Sequence, residues 1–191
     1  MRRVAATVLA TTGGAILIET IERLTSVIYR RPTRLDALRM RALVRASPPL
    51  DVNSTYAYLL VCTHFSDTSV VAERDDQLLG FVSAYLEPAD PGVVFIWQVA
   101  VAPPARGLGV GRRLLREVLA RPMCAATRFL EATTTPSNDA SWRLFRALAR
   151  EHDTRCEIVA TFGGAELGGG DHQDEQLLRI GPLAADRQGG T

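Results

Sequence analysis

Cysteine is scarce in this chain. Cys62, Cys124 and Cys156 stand far apart, with no CxxC among them. A disulfide framework needs an even, closely spaced set, so three dispersed residues predict reduced thiols in a cytosolic protein. No partner motif accompanies any of them, which leaves a nucleophilic cysteine unsupported. Histidine is equally thin: His64, His152 and His172 are widely spaced, no His-x-x-x-His pair exists, and no metal site is predicted. Asp171, His172, Asp174 and Glu175 imitate a ligand cluster in composition only. An excess of one charge sign is missing too. The net charge is +1, so no whole-chain field points to nucleic acid or a membrane surface.

A long uninterrupted apolar run is also lacking. Arg2 and Arg3 precede an apolar stretch from Val4 to Ile18, an order that resembles a secretory signal. Thr11, Thr12, Gly13 and Gly14 interrupt it, and no clean small-residue cleavage site follows. A membrane-spanning helix needs about 20 apolar residues, more than this stretch has. We read residues 1–28 as a poorly ordered extension begun at an upstream start codon, with export by a signal peptide as the other reading.

What is present is a chain of 191 residues, 47% hydrophobic, the size and composition of one domain with short additions. Tyr29 to Pro32 reads as an entering strand, and Leu35, Leu38, Leu43 and Val44 set a helix over Thr33 to Ala46. Breakers make a loop of Ser47 to Ser54, and the apolar Tyr56 to Phe65 opens as a short helix. "SVVAERDDQLLGFVSAYLEP" reads as a hairpin turning at Asp75-Asp76. "VVFIWQVAVAP" is apolar throughout, which predicts a central strand buried on both faces. Val110, Leu114, Leu115, Val118 and Leu119 have helical spacing, and "TRFLEATTT" follows as a strand. Ser137 or Asn138 can cap a helix from Asp139 to Arg150. "EIVATF" and "DEQLLRIGPL" are the last strands, with the loop "GGAELGGGD" between them. The order predicts an α/β fold around one sheet.

The chemistry concentrates in "QVAVAPPARGLGVGRRLL", residues 98–115. A strand stops at two prolines, and three alternate glycines open a helix. Glycines permit a tight turn there. They also leave backbone N–H groups free at a helix N-terminus, where the dipole favours anions, phosphates above all. Arg106, Arg112 and Arg113 add positive charge. The glycine–lysine–serine/threonine ending of a P-loop is absent, and Gly107-Leu108-Gly109-Val110-Gly111 lacks the dinucleotide-turn spacing.

Arg106 to Gly111 resembles the Q/R-x-x-G-x-G/A signature of the GCN5-related N-acetyltransferases. "TPSNDASWRLF" resembles the second segment of that family, with Asn138, Ser141 and Phe145 in its places. The resemblance implies a single-domain fold over 29–183, a mixed central sheet with a splayed strand pair and flanking helices, and acetyl-CoA as co-substrate. It implies that the turn (Arg106, Gly107, Gly109, Gly111, Arg112) holds the pyrophosphate, and that Val99, Ala100 and Val101 lie along the pantetheine arm. "PLDVNSTYAYLLVCTHFSDTSVVAE", "GFVSAY", "FIWQVAV", "LEATTTPSNDAS" and "GGDHQDEQLLRIGP" resemble the branch of that family that acetylates the terminal amine of L-2,4-diaminobutyrate in ectoine synthesis. That resemblance runs from about Tyr29 to about Leu183 and leaves residues 184–191 as a tail. It also suggests a homodimer.

The branch resemblance points to Asp51, Trp97, His172 and Glu175 as substrate-pocket residues, with Ser54, Tyr56, Glu131 and Thr133 as weaker candidates. Each has a plainer reading. Asp51 suits an Asx-turn, Trp97 a core position, and His172 and Glu175 a solvated loop. Glu131 lies on an apolar strand, where an unpaired carboxylate is costly, so it is either functional or faces a polar cavity. The expected chemistry is direct attack of a neutral amine on the thioester. Amides near Val99 and Val101 would polarise the carbonyl. Glu131 or Glu175, acting through water, would take the ammonium proton. Many relatives have a tyrosine as general acid where this chain has Phe145, which has no proton to give. Two other readings stand: acetylation of a different small diamine or amino acid, and a non-catalytic acetyl-CoA sensor.

Overall fold

Asp75 and Asp76 take positive φ, 49° and 59°, the pair of left-handed residues that a two-residue hairpin uses to match strand twist. They join β2 (Val70–Arg74) to β3 (Gln77–Leu86) in a computed structural model that describes residues 27–48, 50–168 and 173–183. The readings made for residues 1–26 and 184–191 lie outside the described residues. Around the hairpin stand β1 (Ile28–Arg30), β4 (Val93–Val101), β5 (Phe129–Thr134), β6 (Arg155–Phe162) and β7 (Glu175–Gly181). They form one sheet in the order β1-β2-β3-β4-β5-β7-β6. β4 and β5 run parallel and the other neighbours antiparallel, so the sheet is mixed.

Strand alternation sorts the core into two layers. Val70, Val82, Ile96, Leu130 and Leu178 face α3 (Val110–Leu119) and α4 (Asp139–Glu151). Their neighbours Val71, Phe81 and Ala100 face α1 (Asp36–Arg45) and α2 (Thr55–His64). Leu114, Leu115 and Leu148 are fully buried, and each such side chain stabilises the fold by roughly 1.5–3 kcal/mol. No described helix is long and apolar enough to cross a membrane.

Two expectations need correction. The first helix begins at Asp36 rather than Thr33. Asp36 Oδ2 accepts from the Thr33 backbone N–H at 2.7 Å and the Asp36 N–H donates to the Thr33 carbonyl at 2.8 Å, so residues 33–36 close a separate turn ahead of the helix. β4 is not buried on both faces along its whole length. Val93, Val94 and Ile96 are buried, but Trp97 is 44% exposed, because the β3–β4 register shifts there and leaves it unpaired.

Asp36 is also the centre of a buried charge network. Arg30 donates to it at 2.7 and 2.9 Å and to Glu73 at 2.7 Å, and Arg39 bridges the same carboxylates at 2.9 and 3.1 Å. Burial pushes the Asp36 carboxyl up, but hydrogen bonds from Arg30 and Thr33 outweigh it and hold the group at about 2. The Arg30 hydrogen bonds lower Glu73 as well. Both carboxyls bind protons less readily folded than unfolded, so their stabilisation is complete above about pH 5 and is lost as pH falls towards about 2. The thermal midpoint is expected to drop steeply across that window. Asp36→Asn is expected to start about 3 kcal/mol less stable and to flatten the drop. An unchanged slope in the variant would remove Asp36 as its source.

Candidate active site

β4 and β5 pair from Val93↔Phe129 to Ile96↔Ala132 and no further, while β4 stays paired with β3 as far as Gly80↔Val101. The stretch from Trp97 to Val101 therefore has one open edge. Ala102 donates its N–H to Leu79 of β3 at 2.8 Å. With a period of two, Ala100 faces β3 likewise, and Val99 and Val101 turn their N–H and C=O groups to the open side. The Val101 carbonyl accepts from Arg106 Nε at 3.1 Å.

After β4 the chain makes a short 3₁₀ turn, Pro103–Ala105, and reaches the glycines. Gly107 and Gly109 have φ of 75° and 81°, a region that L side chains avoid. A Cβ at either would meet nothing within 4 Å, so conformation rather than space demands glycine there. Gly109 caps α3, whose first turn carries no acidic residue. At Gly111 a Cβ would lie 3.5 Å from Val101 Cγ2, an ordinary van der Waals contact, so space does not demand glycine there. The amides of this turn lie at the N-terminus of α3, where the helix dipole favours negative charge. Arg112 is half-exposed beside it, 3.9 Å from Glu151. At the start of α4, Asn138 Oδ1 accepts from the Ser141 N–H at 3.1 Å and is the cap. Ser137 instead donates to Gln173. Phe145 is buried in the core under α3 and α4.

On the opposite face, register slips where Ser83 pairs with Gln98 but Ala84 pairs with Ile96. Trp97 is the extra residue of a β-bulge, and the bulge lets two successive side chains, Trp97 and Gln98, line one recess. Asn53, Ala57, Tyr58, Val61 and Ser83 complete its wall. Tyr58 donates its hydroxyl hydrogen to Gln98 Oε1 at 2.9 Å, and Gln98 Nε2 donates to the Asp51 carbonyl at 2.9 Å. Burial raises the Tyr58 phenol, against hydrogen bonds from Asn53 and the nearby charge of Arg41. Arg41 Nε is buried with no hydrogen-bond partner among the described residues.

The remaining sequence-derived candidates distribute as follows. Asp51 is exposed on the loop before α2, and Ser54 caps that helix by accepting from the Ala57 N–H at 3.1 Å. Tyr56 is 69% exposed; Tyr58, two residues on, is the tyrosine in the wall. Glu131 is buried and paired, its Oε1 accepting from Arg179 Nε at 2.6 Å and Nη2 at 2.5 Å. Thr133 is the first residue of β5 beyond the splay on the same face, and Glu175 opens β7 half-buried. His172 lies outside the described residues. Tyr58, Gln98, Asn53, Ser83 and Arg179 escaped the sequence reading. Gln98 stood inside the strand flanking the glycine turn, and its polarity in an apolar run was the available signal. The three thiols are poor nucleophiles: burial pushes Cys62 and Cys124 up to about 11 and raises Cys156.

Comparison with known proteins agrees with this geometry. A model of the "Acetyltransferase (GNAT) family" matches residues 35–149. The chain is 49% identical over 155 residues to an L-2,4-diaminobutyric acid acetyltransferase of Bordetella parapertussis, a match covering 81% of this chain and 83% of that protein. It is 42% identical over 159 residues to the protein of the same name from Halalkalibacterium halodurans, covering 83% and 84%. Among solved structures it resembles diaminobutyrate acetyltransferase EctA from Paenibacillus lautus in complex with its substrate L-2,4-diaminobutyric acid and coenzyme A. The TM-score is 0.78 at 38% identity, over 82% of this chain and 95% of that one.

Proposed function

The chain belongs to the acetyltransferase (GNAT) family, and we propose that it transfers the acetyl group of acetyl-CoA to the terminal N4 amine of L-2,4-diaminobutyrate. The products are N4-acetyl-L-2,4-diaminobutyrate and coenzyme A, which places the reaction in ectoine synthesis and so in osmoadaptation. The observation that carries this reading is the splay at Ile96/Ala132, with the glycine turn at its open end and a recess walled by Tyr58, Trp97 and Gln98 across the sheet. A thioester laid along Val99 to Val101 meets two outward-facing amides, which stabilise the oxyanion of the tetrahedral adduct. The turn from Arg106 to Gly111, with Arg112, suits the pyrophosphate, and the Asn138–Ser141 cap with Phe145 fixes the helix beside it.

Asp51, Trp97, Thr133, His172 and Glu175 orient the amino acid, with Ser54 and Tyr56 at the margin. The terminal amine enters as an ammonium with a pKa of about 10, taking lysine as the analogue. A carboxylate must take that proton before attack, and Glu175 is better disposed than Glu131, which Arg179 already occupies. Phe145 acts by packing alone, so Phe145→Tyr is expected to change kcat by less than about tenfold, as read by thiol release. A hundredfold change in either direction would give position 145 a chemical role.

The reading is tested by thiol release from acetyl-CoA with L-2,4-diaminobutyrate, ornithine, lysine or no amine, and by the product's acetyl position from NMR. Release with diaminobutyrate and an N4 product is expected. Release with another amine alone would discard the pocket assignment. Acetyl-CoA binding without release would leave a sensor. The cytoplasm, which supplies acetyl-CoA and keeps thiols reduced, is the proposed location. A homodimer is proposed as well, supported by β6, an edge strand that exposes Ile158, Val159 and Phe162. A monomer in light scattering would overturn that.

A further inference from the structure

We propose that Gln98 and Tyr58 are positioning residues that fix how long a diamine the site accepts; the proposal rests on the reaction assigned above. The relay is directional. The Asp51 carbonyl can only accept, so the Gln98 amide must present Nε2 to it and Oε1 to Tyr58, whose hydroxyl therefore donates. The loop before α2 is thus fastened at Asp51 by Gln98, which Tyr58 on α2 holds in turn.

This fastening leads to the bulge. Gln98 follows Trp97 directly and precedes Val99, where the outward-facing amides begin. One end of the relay sets the strand that presents the thioester carbonyl. The other sets the loop that carries Asp51 toward the distal groups of the amino acid. The distance between those ends is what a substrate must span between its reacting amine and its α-carbon substituents. With the relay intact the span is held at one value. A side chain that cannot donate to Asp51 frees the loop to accept a longer or shorter diamine. A polar carboxamide within an otherwise apolar strand is explained by this task.

Gln98→Glu tests it, because the carboxylate keeps an acceptor for Tyr58 but sets oxygen against the Asp51 carbonyl. KM for diaminobutyrate is expected to rise about tenfold, the loss of one aligned hydrogen bond with its unmatched acceptor. KM for acetyl-CoA is expected to stay within about twofold. The ratio of kcat/KM for diaminobutyrate over ornithine is expected to fall at least about fivefold. Tyr58→Phe is expected to move the same ratio less, and the double variant no further than Gln98→Glu alone, since the two act in series. Hydrogen exchange of the amides at 51–54 is expected to quicken in Gln98→Glu, a readout independent of turnover. Unchanged diaminobutyrate KM and selectivity in a folded Gln98→Glu would overturn the proposal. Wild-type protein that acetylates no diaminobutyrate would instead overturn the assigned reaction, while the exchange measurement would still report on the relay.

Discussion

Glu175→Gln is expected to lower kcat for diaminobutyrate about a hundredfold, the usual worth of a general base, while Glu131→Gln is expected to cost less than about tenfold. The two carboxylates share a sheet face but not a situation. Glu131 lies where the β4–β5 ladder is still closed, opposite Phe95 on one side and Arg179 on the other. Both Arg179 hydrogen bonds land on its Oε1, so accepting a substrate proton would cost that pair. Glu175 stands two strand steps further on, past Leu177, on the side where the strands have parted. No hydrogen bond or ion pair to its carboxylate occurs among the described residues. The measurement is kcat against pH at saturating acetyl-CoA. Wild type is expected to show an acidic limb that Glu175→Gln loses and Glu131→Gln keeps. The reverse pattern would make Glu131 the base and Arg179 its tuning partner. Glu131→Gln is expected to show itself in stability instead, since it leaves Arg179 without its buried anion.

Local signals carried most of the fold. The helical spacing from Val110 to Leu119 was enough for α3, and Asp75-Asp76 was enough for the hairpin, because caps and turns are set by residues within four positions of each other. Pairings across the sheet were another matter. The splay depends on where two ladders end, at Ile96/Ala132 and at Gly80/Val101, and no local pattern records an ending. Only the family resemblance supplied it. The choice left open for Glu131 had the same origin: its partner is 48 residues away, joined through the β5–β7 register. The tyrosines on α2 turned on helix phase. "STYAYLL" offers Tyr56 and Tyr58 on opposite sides, and only the packing of α2 against Phe81 decides that Tyr58, its ring edge-on to that phenylalanine, faces inward. Trp97 escaped the core because a bulge, invisible in composition, turned it out.

Substitutions at Gly109 are expected to raise KM for acetyl-CoA in the order Asn, Ala, Val, with Val higher than wild type by roughly 20-fold and KM for diaminobutyrate little changed. Gly109 sits at φ 81° as the cap of α3, and the left-handed region costs an L-residue roughly 1–2 kcal/mol, more for a β-branched one. At about 1.4 kcal/mol per tenfold, a cost of this size suffices for the expected change if it falls on the bound geometry. Asparagine tolerates the same region, so Gly109→Asn is expected to stay within about fivefold of wild type. The order separates two explanations for the glycine. A Cβ at 109 meets no protein atom within 4 Å, so strain inside the chain comes from φ alone, whereas crowding of a bound pyrophosphate comes from volume. If φ decides, asparagine outperforms the smaller alanine. If volume decides, alanine outperforms asparagine. Thermal midpoints settle where the strain is spent: a variant that loses acetyl-CoA affinity at an unshifted midpoint has let the turn relax out of its binding shape. A variant with a lowered midpoint and retained affinity has kept that shape at the expense of the fold.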